Sequence, residues 1–220
     1  VTRLVDDLLD VGRLTTGKIT LRKEPLRLSD VVARSVETAR PMLQARRHTF
    51  VLDQDEETIH VNGDTTRLAQ VLQNLLVNAA KFTPEGGQIR LRVWSEDGFA
   101  YLAVQDNGRG IAPEQLQRIF QLFAQAESPG SSGTESGLGI GLTLARTLTE
   151  MHGGSLTASS PGLGQGSTFT VQLPRAAVDA VEHPEDADAE HGEDAEVRQR
   201  LERGVERRAD LPGTRGDVAE

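Results

Sequence analysis

The sequence contains no cysteine, few aromatic residues and no long hydrophobic run. Of its 220 residues only 4% are aromatic, with one tryptophan and one tyrosine. Without cysteine, the chain forms no disulfide or thiolate metal site and has no cysteine nucleophile. No apolar run approaches the roughly 20 residues that span a bilayer. These absences fit a reducing compartment, and we expect the chain to be cytoplasmic.

The acidic charge is concentrated at the C-terminus. The formal net charge is −9, and residues 175–220 hold 14 acidic and 7 basic side chains. No aromatic residue follows Phe169. Because such a composition buries too little apolar surface to offset chain entropy, we predict a disordered tail or linker at 175–220. A partner-binding tail is the alternative. The rest is nearly neutral and shows no basic face, which argues against nucleic-acid binding.

The first residues have a helical pattern. Val1, Leu4, Leu8 and Val11 follow one another at spacings of three and four, and Gly17 follows the pattern. This predicts a helix over residues 1–16 that pairs with other helices, or else an ordinary core helix. The chain opens inside this pattern without a methionine. We therefore expect a fragment whose link to a membrane, if it has one, runs through upstream segments.

Four later segments carry apolar residues on one helical face. They begin after Ser29, after Asp64, at Pro113 and near Leu138, and the last two run to residues 123 and 151. Ser29 and Asp64 are the predicted N-caps. Gly153-Gly154 ends the last helix. We expect His152, just before this glycine pair, to cap that helix rather than to act in catalysis.

Short alternating patterns predict the strands. The strands are residues 19–21, 49–52, 59–61, 89–94, 101–105, 155–159 and 167–173. We expect Pro25 to end the first strand, and a polar turn to join the second to the third. Asp97-Gly98 is the predicted turn of a hairpin. Because strands and helices mix without regular βαβ alternation, the fold class is α+β, with a mixed sheet covered on one face by helices.

The segment Gln70–Phe82 places two amides on one face of a helix. Asn74 and Asn78 are four residues apart, and leucines fill the opposite face. An amide oxygen is a suitable ligand for Mg²⁺ that carries a triphosphate. Lys81, about one turn further on, could reach a phosphate. The alternative is two amides satisfied within the fold.

Two glycine motifs follow. Asp106–Ile111 (DNGRGI) comes directly after a predicted strand, and its glycines permit a positive φ and close approach of a ligand. The Asp106 carboxylate could accept a hydrogen bond from an adenine amino group, although an ordinary turn has the same composition. Gly137–Leu142 (GLGIGL) opens a helix, whose free N–H groups attract anions. Together with the amide helix, these motifs indicate a nucleotide site.

The motifs resemble those of the catalytic ATP-binding domain of sensor histidine kinases, in the superfamily shared with type II topoisomerases, mismatch-repair ATPases and heat-shock chaperones. Gln70–Phe82 resembles the N box, DNGRGI the G1 box and GLGIGL the G2 box. Residues 119–123 resemble the F box, and residues 166–169 (GSTF) the closing GT-x-F element, with serine for threonine. The resemblance covers residues 18–174. Residues 1–16 resemble the end of the preceding dimerisation and phosphoacceptor domain.

This resemblance implies a two-layer Bergerat-type fold and assigns roles to the motif residues. Asn78 matches the Mg²⁺ ligand and Asn74 the polar residue one turn before it, and both are candidate catalytic residues. Lys81 matches the phosphate-contacting base, Phe82 an aromatic residue near adenine, and Asp106 the adenine-recognising carboxylate. Residues 112–136 match a mobile ATP lid. The other implied ATP-binding residues are Gly108, Gly110, Ile111, Phe120, Gly137, Leu138, Gly139, Gly141, Leu142 and Ser167.

The resemblance also implies transfer of the γ-phosphoryl group of ATP·Mg to a histidine on the preceding helical domain. Relay would follow to a response regulator or receiver domain, and the full-length protein would be a homodimer. None of the five histidines lies in the expected His-Glu/Asp-x-x-x-Pro segment. ATPase relatives have a glutamate base where Asn74 stands, and an amide cannot take a proton from water. This favours a kinase over an ATPase. A nucleotide-binding pseudokinase module is the other alternative; the intact N, G1 and G2 boxes argue against it, and the absent acceptor histidine leaves it open.

Overall fold

The computed structural model describes Gly12 and residues 20–55, 57–121 and 139–176. Apart from Gly12, the predicted helix at residues 1–16 lies outside the described residues, as do most of the acidic tail and much of the predicted lid. In chain order the elements are β1 (Glu24–Arg27), α1 (Leu28–Ala45), β2 (Thr49–Gln54), β3 (His60–Gly63), α2 (Thr65–Phe82), β4 (Gln88–Glu96), β5 (Phe99–Asp106), α3 (Pro113–Leu116), α4 (Gly141–Met151), β6 (Ser155–Ser159) and β7 (Ser167–Pro174).

Five strands form a mixed sheet in the order β2-β4-β5-β7-β6. β2 pairs with β4 in parallel, and the other pairs are antiparallel. Along β4, Ile89, Leu91 and Val93 are buried while Arg90 and Arg92 are exposed, so one face of the sheet is covered. The predicted α+β class with a mixed sheet is confirmed.

The covered face packs against the helices. α2 lies between α1 and α4 and contacts β5, while α4 contacts β6 and β7. The fully buried side chains include Leu72, Leu75, Leu76, Ile89, Leu91, Leu102, Leu144 and Leu148. This core fixes α2 and α4 against the sheet. Among the described helices, none combines the length and apolar character that a membrane crossing requires.

The sequence-based predictions for the first strands were partly wrong. β1 lies at Glu24–Arg27 and contains Pro25, which was expected to end a strand at 19–21. Because β1 pairs only with β3, one side of the strand needs no hydrogen bond and tolerates a residue without an N–H. β2 and β3 do not pair with each other, since β2 joins the large sheet and β3 the small one.

The buried faces of the helices match the predictions better than the first and last residues of the helices do. α1 begins at Leu28, so Ser29 is not its N-cap. Asp64 caps α2 as predicted, and its Oδ1 accepts from the Arg67 N–H at 3.1 Å. α3 spans only Pro113–Leu116 instead of 113–123. α4 begins at Gly141 rather than near residue 138, because Gly139 has a φ of +68°, which is not helical.

The predicted hairpin between β4 and β5 is confirmed. Trp94 pairs with Tyr101 and Glu96 with Phe99 in its register. Asp97 and Gly98 have φ values of 49° and 79°. Positive φ at both central residues is what a two-residue turn needs to match the twist of its strands. The local sequence therefore decides this turn and the register that follows from it.

Candidate functional site

Asp106, the last residue of β5, has a buried carboxylate that is held from two sides. It is 7% exposed. Its Oδ2 accepts a hydrogen bond from the Ser167 hydroxyl at 2.6 Å, and its Oδ1 accepts from the Gly108 N–H at 2.8 Å. Asp106 and Ser167 are also register partners of β5 and β7. The carboxylate is thus fixed in place, and its remaining lone pairs can accept from a ligand.

Glycines bring the backbone close together around this carboxylate. A Cβ on Gly108 would overlap the Phe82 carbonyl oxygen at the end of α2. Gly110 has a φ of +66°, and a Cβ there would overlap the carbonyl oxygen of Gly162. Larger residues at these two positions would therefore separate the DNGRGI segment from α2 and from the β6–β7 loop. The glycines of the motif are required by close packing as well as by backbone conformation.

The β6–β7 loop supports the DNGRGI segment from the other side. The Ser160 hydroxyl accepts from the Ile111 N–H at 3.0 Å and donates to the Gly166 carbonyl at 2.6 Å. The Gly166 N–H donates to the Gly108 carbonyl at 3.0 Å. Ser160 was not among the predicted site residues. The only indication was its place at the start of the glycine-rich stretch before the GSTF element.

Asn74 connects α2 to α4. It is 7% exposed, and its Nδ2 donates to the Gly141 carbonyl oxygen at 3.2 Å. Gly141 is the first residue of α4, so the contact ties the amide helix to the second half of the GLGIGL motif. Asn78, one turn further along α2, is half-buried, and its side-chain amide makes no hydrogen bond to other described residues. Its side-chain oxygen is an uncharged ligand of the kind that suits Mg²⁺.

Two cationic groups lie over the ring of Phe82. The Arg109 guanidinium carbon is 4.0 Å from the ring centroid and the Lys81 Nζ is 4.8 Å from it. Both distances are within the range of cation–π attraction. Burial lowers the pKa of Arg109 from its usual value, although an arginine keeps its charge at neutral pH. The ring thus holds two positive charges at the end of α2. The predicted site residues included Lys81 and Phe82, but not Arg109.

Phe120, which lies within the first part of the predicted lid, is linked to α4. Its carbonyl oxygen accepts from the Thr143 hydroxyl at 2.9 Å. Its ring packs edge-on against Phe169, with centroids 6.4 Å apart. Gly139 and Leu142 are half-buried at the start of α4. The other two predicted residues of this motif, Gly137 and Leu138, lie outside the described residues.

The described site residues form two groups. One group consists of Asp106, Gly108, Ser167 and Phe82, which meet where β5 and α2 end and β7 begins. Asn74 and Gly141 meet where α2 crosses the start of α4. Asn78 and Lys81 lie between these points along α2. The arrangement offers a fixed anionic acceptor at Asp106, two cations over the ring of nearby Phe82, and the Asn78 amide about one turn earlier along α2.

Comparisons with known proteins show which family the chain is similar to. The family model for histidine kinase-, DNA gyrase B- and HSP90-like ATPases matches residues 63–177. The circadian input-output histidine kinase CikA of Synechococcus elongatus is 37% identical over 173 residues, which cover 78% of this chain and 23% of CikA. The sensor histidine kinase RppB of Synechocystis is 33% identical over 174 residues, covering 79% of this chain and 38% of RppB.

A solved structure is also similar. Full-length ShkA in complex with AMPPNP has a TM-score of 0.69 and 30% identity, over 80% of this chain and 36% of ShkA. The chain spans less than half the length of each of these relatives. The family match covers more than half of the chain and contains the amide helix and both glycine motifs. This chain therefore belongs to the family of histidine kinase-, DNA gyrase B- and HSP90-like ATPases.

Proposed function

We propose that this chain is the ATP-binding catalytic part of a two-component sensor histidine kinase. The observation that carries the proposal is the buried Asp106 carboxylate, held by Ser167 and Gly108 next to closely packed glycines. A fixed, desolvated acceptor of this kind can select a ligand that presents an N–H donor, such as the adenine amino group. The same acceptor would reject a base that presents a carbonyl at that position.

The phosphate end of the nucleotide lies along the last two turns of α2. Asn78 would supply a single amide oxygen to Mg²⁺, which suits an ion that arrives already bound to the triphosphate. Lys81 would contact a phosphate as a point charge. Bound Mg²⁺ would supply neutralisation of the phosphate charge. Gly137, Leu138, Gly139, Gly141 and Leu142 would complete the site through backbone N–H groups and apolar contact.

The reaction that we propose is phosphoryl transfer to a histidine. A neutral imidazole nitrogen on the phosphoacceptor domain attacks the γ-phosphorus, the bond to the β–γ bridging oxygen breaks, and ADP leaves. This needs positioning more than a base, because the nitrogen is already a nucleophile. Asn74 agrees with this reading, since its amide donates to Gly141 and has no basic lone pair for activating water.

We further propose the partners of the whole protein. A response regulator or receiver domain would accept the phosphoryl group, and the protein's own dimerisation and phosphoacceptor domain would make it a homodimer. The names of the relatives CikA and RppB, both histidine kinases, support this reading. We also propose that this part of the protein works in the cytoplasm, where ATP is present.

The test is transfer of label from γ-labelled ATP to a phosphoacceptor helical hairpin of the parent protein, supplied in trans. We expect an acid-labile product, as for phosphohistidine. Asn78→Ala should abolish the transfer, because the triphosphate loses a metal ligand. The matched control is Asn62→Ala, which removes an exposed amide from β3 and should transfer label normally.

Two outcomes would replace the proposal. Fast turnover of ATP to ADP by the chain alone would indicate an ATPase. ATP binding without transfer to the hairpin would indicate a nucleotide-binding regulatory module. Without the hairpin, we expect the chain to bind ATP but to show neither stable autophosphorylation nor fast hydrolysis, because no histidine in the sequence has the acceptor context.

A further inference from the structure

The last turn of α2 carries the residues that we assign to the nucleotide, and its carbonyl oxygens need hydrogen-bond donors from outside the helix. The Ala79 carbonyl accepts from the Thr83 N–H at 3.0 Å, which closes the helix. The Phe82 carbonyl accepts from the Arg109 N–H at 3.1 Å. The two carbonyls between them, of Ala80 and Lys81, receive their donors from the α1–β2 connection.

Arg46 makes two of the three hydrogen bonds to these carbonyls. Its Nη1 donates to the Lys81 carbonyl at 2.9 Å and to the Ala80 carbonyl at 3.3 Å. The Nε2 atom of His48 lies 2.9 Å from the same Ala80 oxygen, where it donates a second hydrogen bond. The positive guanidinium also lies at the C-terminal, negative end of the α2 dipole, where a cation is stabilising. One side chain therefore holds two consecutive carbonyls, the second of which belongs to Lys81.

The same connection holds the chain that follows α2. The Gly86 N–H donates to the Arg46 carbonyl at 3.0 Å, and the Thr49 N–H donates to the Gly87 carbonyl at 2.9 Å. Thr49 is the first residue of β2, the strand at the edge of the large sheet. The end of α2 and the turn after it are thus attached to the sheet through residues that belong to none of the nucleotide motifs.

We propose that Arg46 is a positioning residue for the triphosphate, and that it acts through the backbone of Lys81. The inference rests on the proposed function, in which Lys81 contacts a phosphate. Because the Phe82 carbonyl is held by Arg109 rather than by Arg46, the adenine end of the site does not depend on the Arg46 contacts. Arg46 therefore sets affinity for the phosphates and leaves affinity for the nucleoside unchanged.

The first experiment compares Arg46→Gln with Arg47→Gln. Arg47 is the next residue, its side chain is 82% exposed, and it pairs with Glu85 at 3.5 Å, so its variant is the matched control. Calorimetry should show that Arg46→Gln lowers ATP affinity about tenfold, as for the loss of a charge-assisted contact. Titrations followed by nuclear magnetic resonance should show adenosine affinity within about twofold of the original. Arg47→Gln should change neither.

The second experiment tests whether Arg46 acts through Lys81. If it does, the double variant Arg46→Gln with Lys81→Gln should bind ATP as weakly as Lys81→Gln alone. Independent effects would instead multiply the two losses in affinity. Arg46→Lys keeps the charge but not the fork of donors, and it should recover part of the ATP affinity. This variant also keeps the test valid if Arg46→Gln folds poorly.

The outcomes separate this inference from the proposed function. If the original chain does not bind ATP, both are wrong. If it binds ATP and Arg46→Gln binds equally well, the positioning role is wrong while the proposed function stands. Multiplied losses in the double variant, or an equal loss of ATP and adenosine affinity, would likewise overturn the role of Arg46 alone.

Discussion

The imidazole of His152 joins the end of α4 to the start of α2. Its Nε2 accepts a hydrogen bond from the Asp64 N–H at 3.0 Å, and its Nδ1 donates to the Leu148 carbonyl at 2.7 Å. One nitrogen accepts and the other donates, so the arrangement requires the neutral, Nδ1-protonated ring. The expectation that His152 caps α4 is confirmed. Its second contact, to the N-cap residue of the helix with the candidate site, was not expected.

This arrangement makes stability depend on pH. Burial lowers the pKa of His152, and the charge of Lys23 acts in the same direction. A base with a lowered pKa in the folded state takes up a proton more readily when unfolded. The stabilisation is therefore complete above the unfolded pKa of about 6.5 and is lost as the pH falls below it.

Urea unfolding at a series of pH values from about 8 to about 5 checks this prediction. The free energy of unfolding should fall over this range, and His152→Gln should have a weaker pH dependence. The variant should also be less stable at neutral pH by about 1–3 kcal/mol, because the Asp64 N–H and the Leu148 carbonyl lose their partner. An identical pH dependence in the two proteins would contradict the role of His152.

Asp106→Asn should weaken ATP binding by about 2 kcal/mol, or roughly thirtyfold. The amide can still accept from Ser167, but it is no longer a charged acceptor for the adenine amino group. Isothermal titration with ATP measures the change. Asp97→Asn is the control, because asparagine also tolerates the positive φ of that turn residue. Unchanged ATP affinity in Asp106→Asn would remove Asp106 from the pocket.

Gly166→Ala should disrupt the site, whereas Gly164→Ala should not. The two glycines have φ values of 74° and 75°, so an alanine meets the same backbone strain at each, about 1 kcal/mol. A Cβ on Gly166 would also overlap the Asp106 carbonyl oxygen, while nothing lies within 4 Å of a Cβ on Gly164. Melting temperature and ATP affinity should both fall further for Gly166→Ala. Equal losses would show that the close packing at Asp106 is unimportant.

Asn74→Asp should destabilise the contact between α2 and α4. The carboxylate would face the Gly141 carbonyl, an acceptor that now receives a donor at 3.2 Å. The expected loss of unfolding free energy is about 1–3 kcal/mol, measured by urea titration. Gln73→Glu adds the same charge to the neighbouring, half-buried position of α2 and should have a smaller effect. A larger loss in Gln73→Glu would mean that added charge, not the lost donor, is responsible.

Removal of residues 177–220 should leave the melting temperature and the ATP affinity unchanged. The prediction rests on composition, since nine acidic residues between Asp179 and Val197 occur without a lysine or arginine. Limited proteolysis should cut in this region first. A melting temperature lowered by several degrees would show that the tail packs on the domain.

The sequence predicted best those helices and strands whose own residues carry a strong local pattern. α2 has a capping aspartate and a regular apolar face, and the β4–β5 hairpin has a turn that needs positive φ at Asp97 and Gly98. The parallel pairing of β2 with β4 has no such local cause. The two strands are separated in the sequence by β3 and α2, so their pairing depends on how those elements pack. The sequence predicted β2 and β3 as strands, but not that they would join different sheets.

The residues of the candidate site also differ in whether the sequence could predict them. Asp106 and the glycines of DNGRGI could be found because each motif is contiguous in the sequence. Ser160, Arg46 and the contact from His152 to Asp64 act on backbone atoms that are distant in sequence. Side chains that bind backbone leave no pattern of partner residues for sequence reasoning to use. These supporting residues were therefore visible only in the structure.

The hydrogen bond from Thr143 to the Phe120 carbonyl has a consequence for the segment between Gln121 and Gly139. It holds the two ends of that segment close together independently of what lies between them. The entropy cost of closing a loop grows only with the logarithm of its length, so doubling the length costs about 0.6 kcal/mol. Insertions and deletions in this segment should therefore cost little stability, and Phe120 and Thr143 should keep their contact when the length of the segment changes.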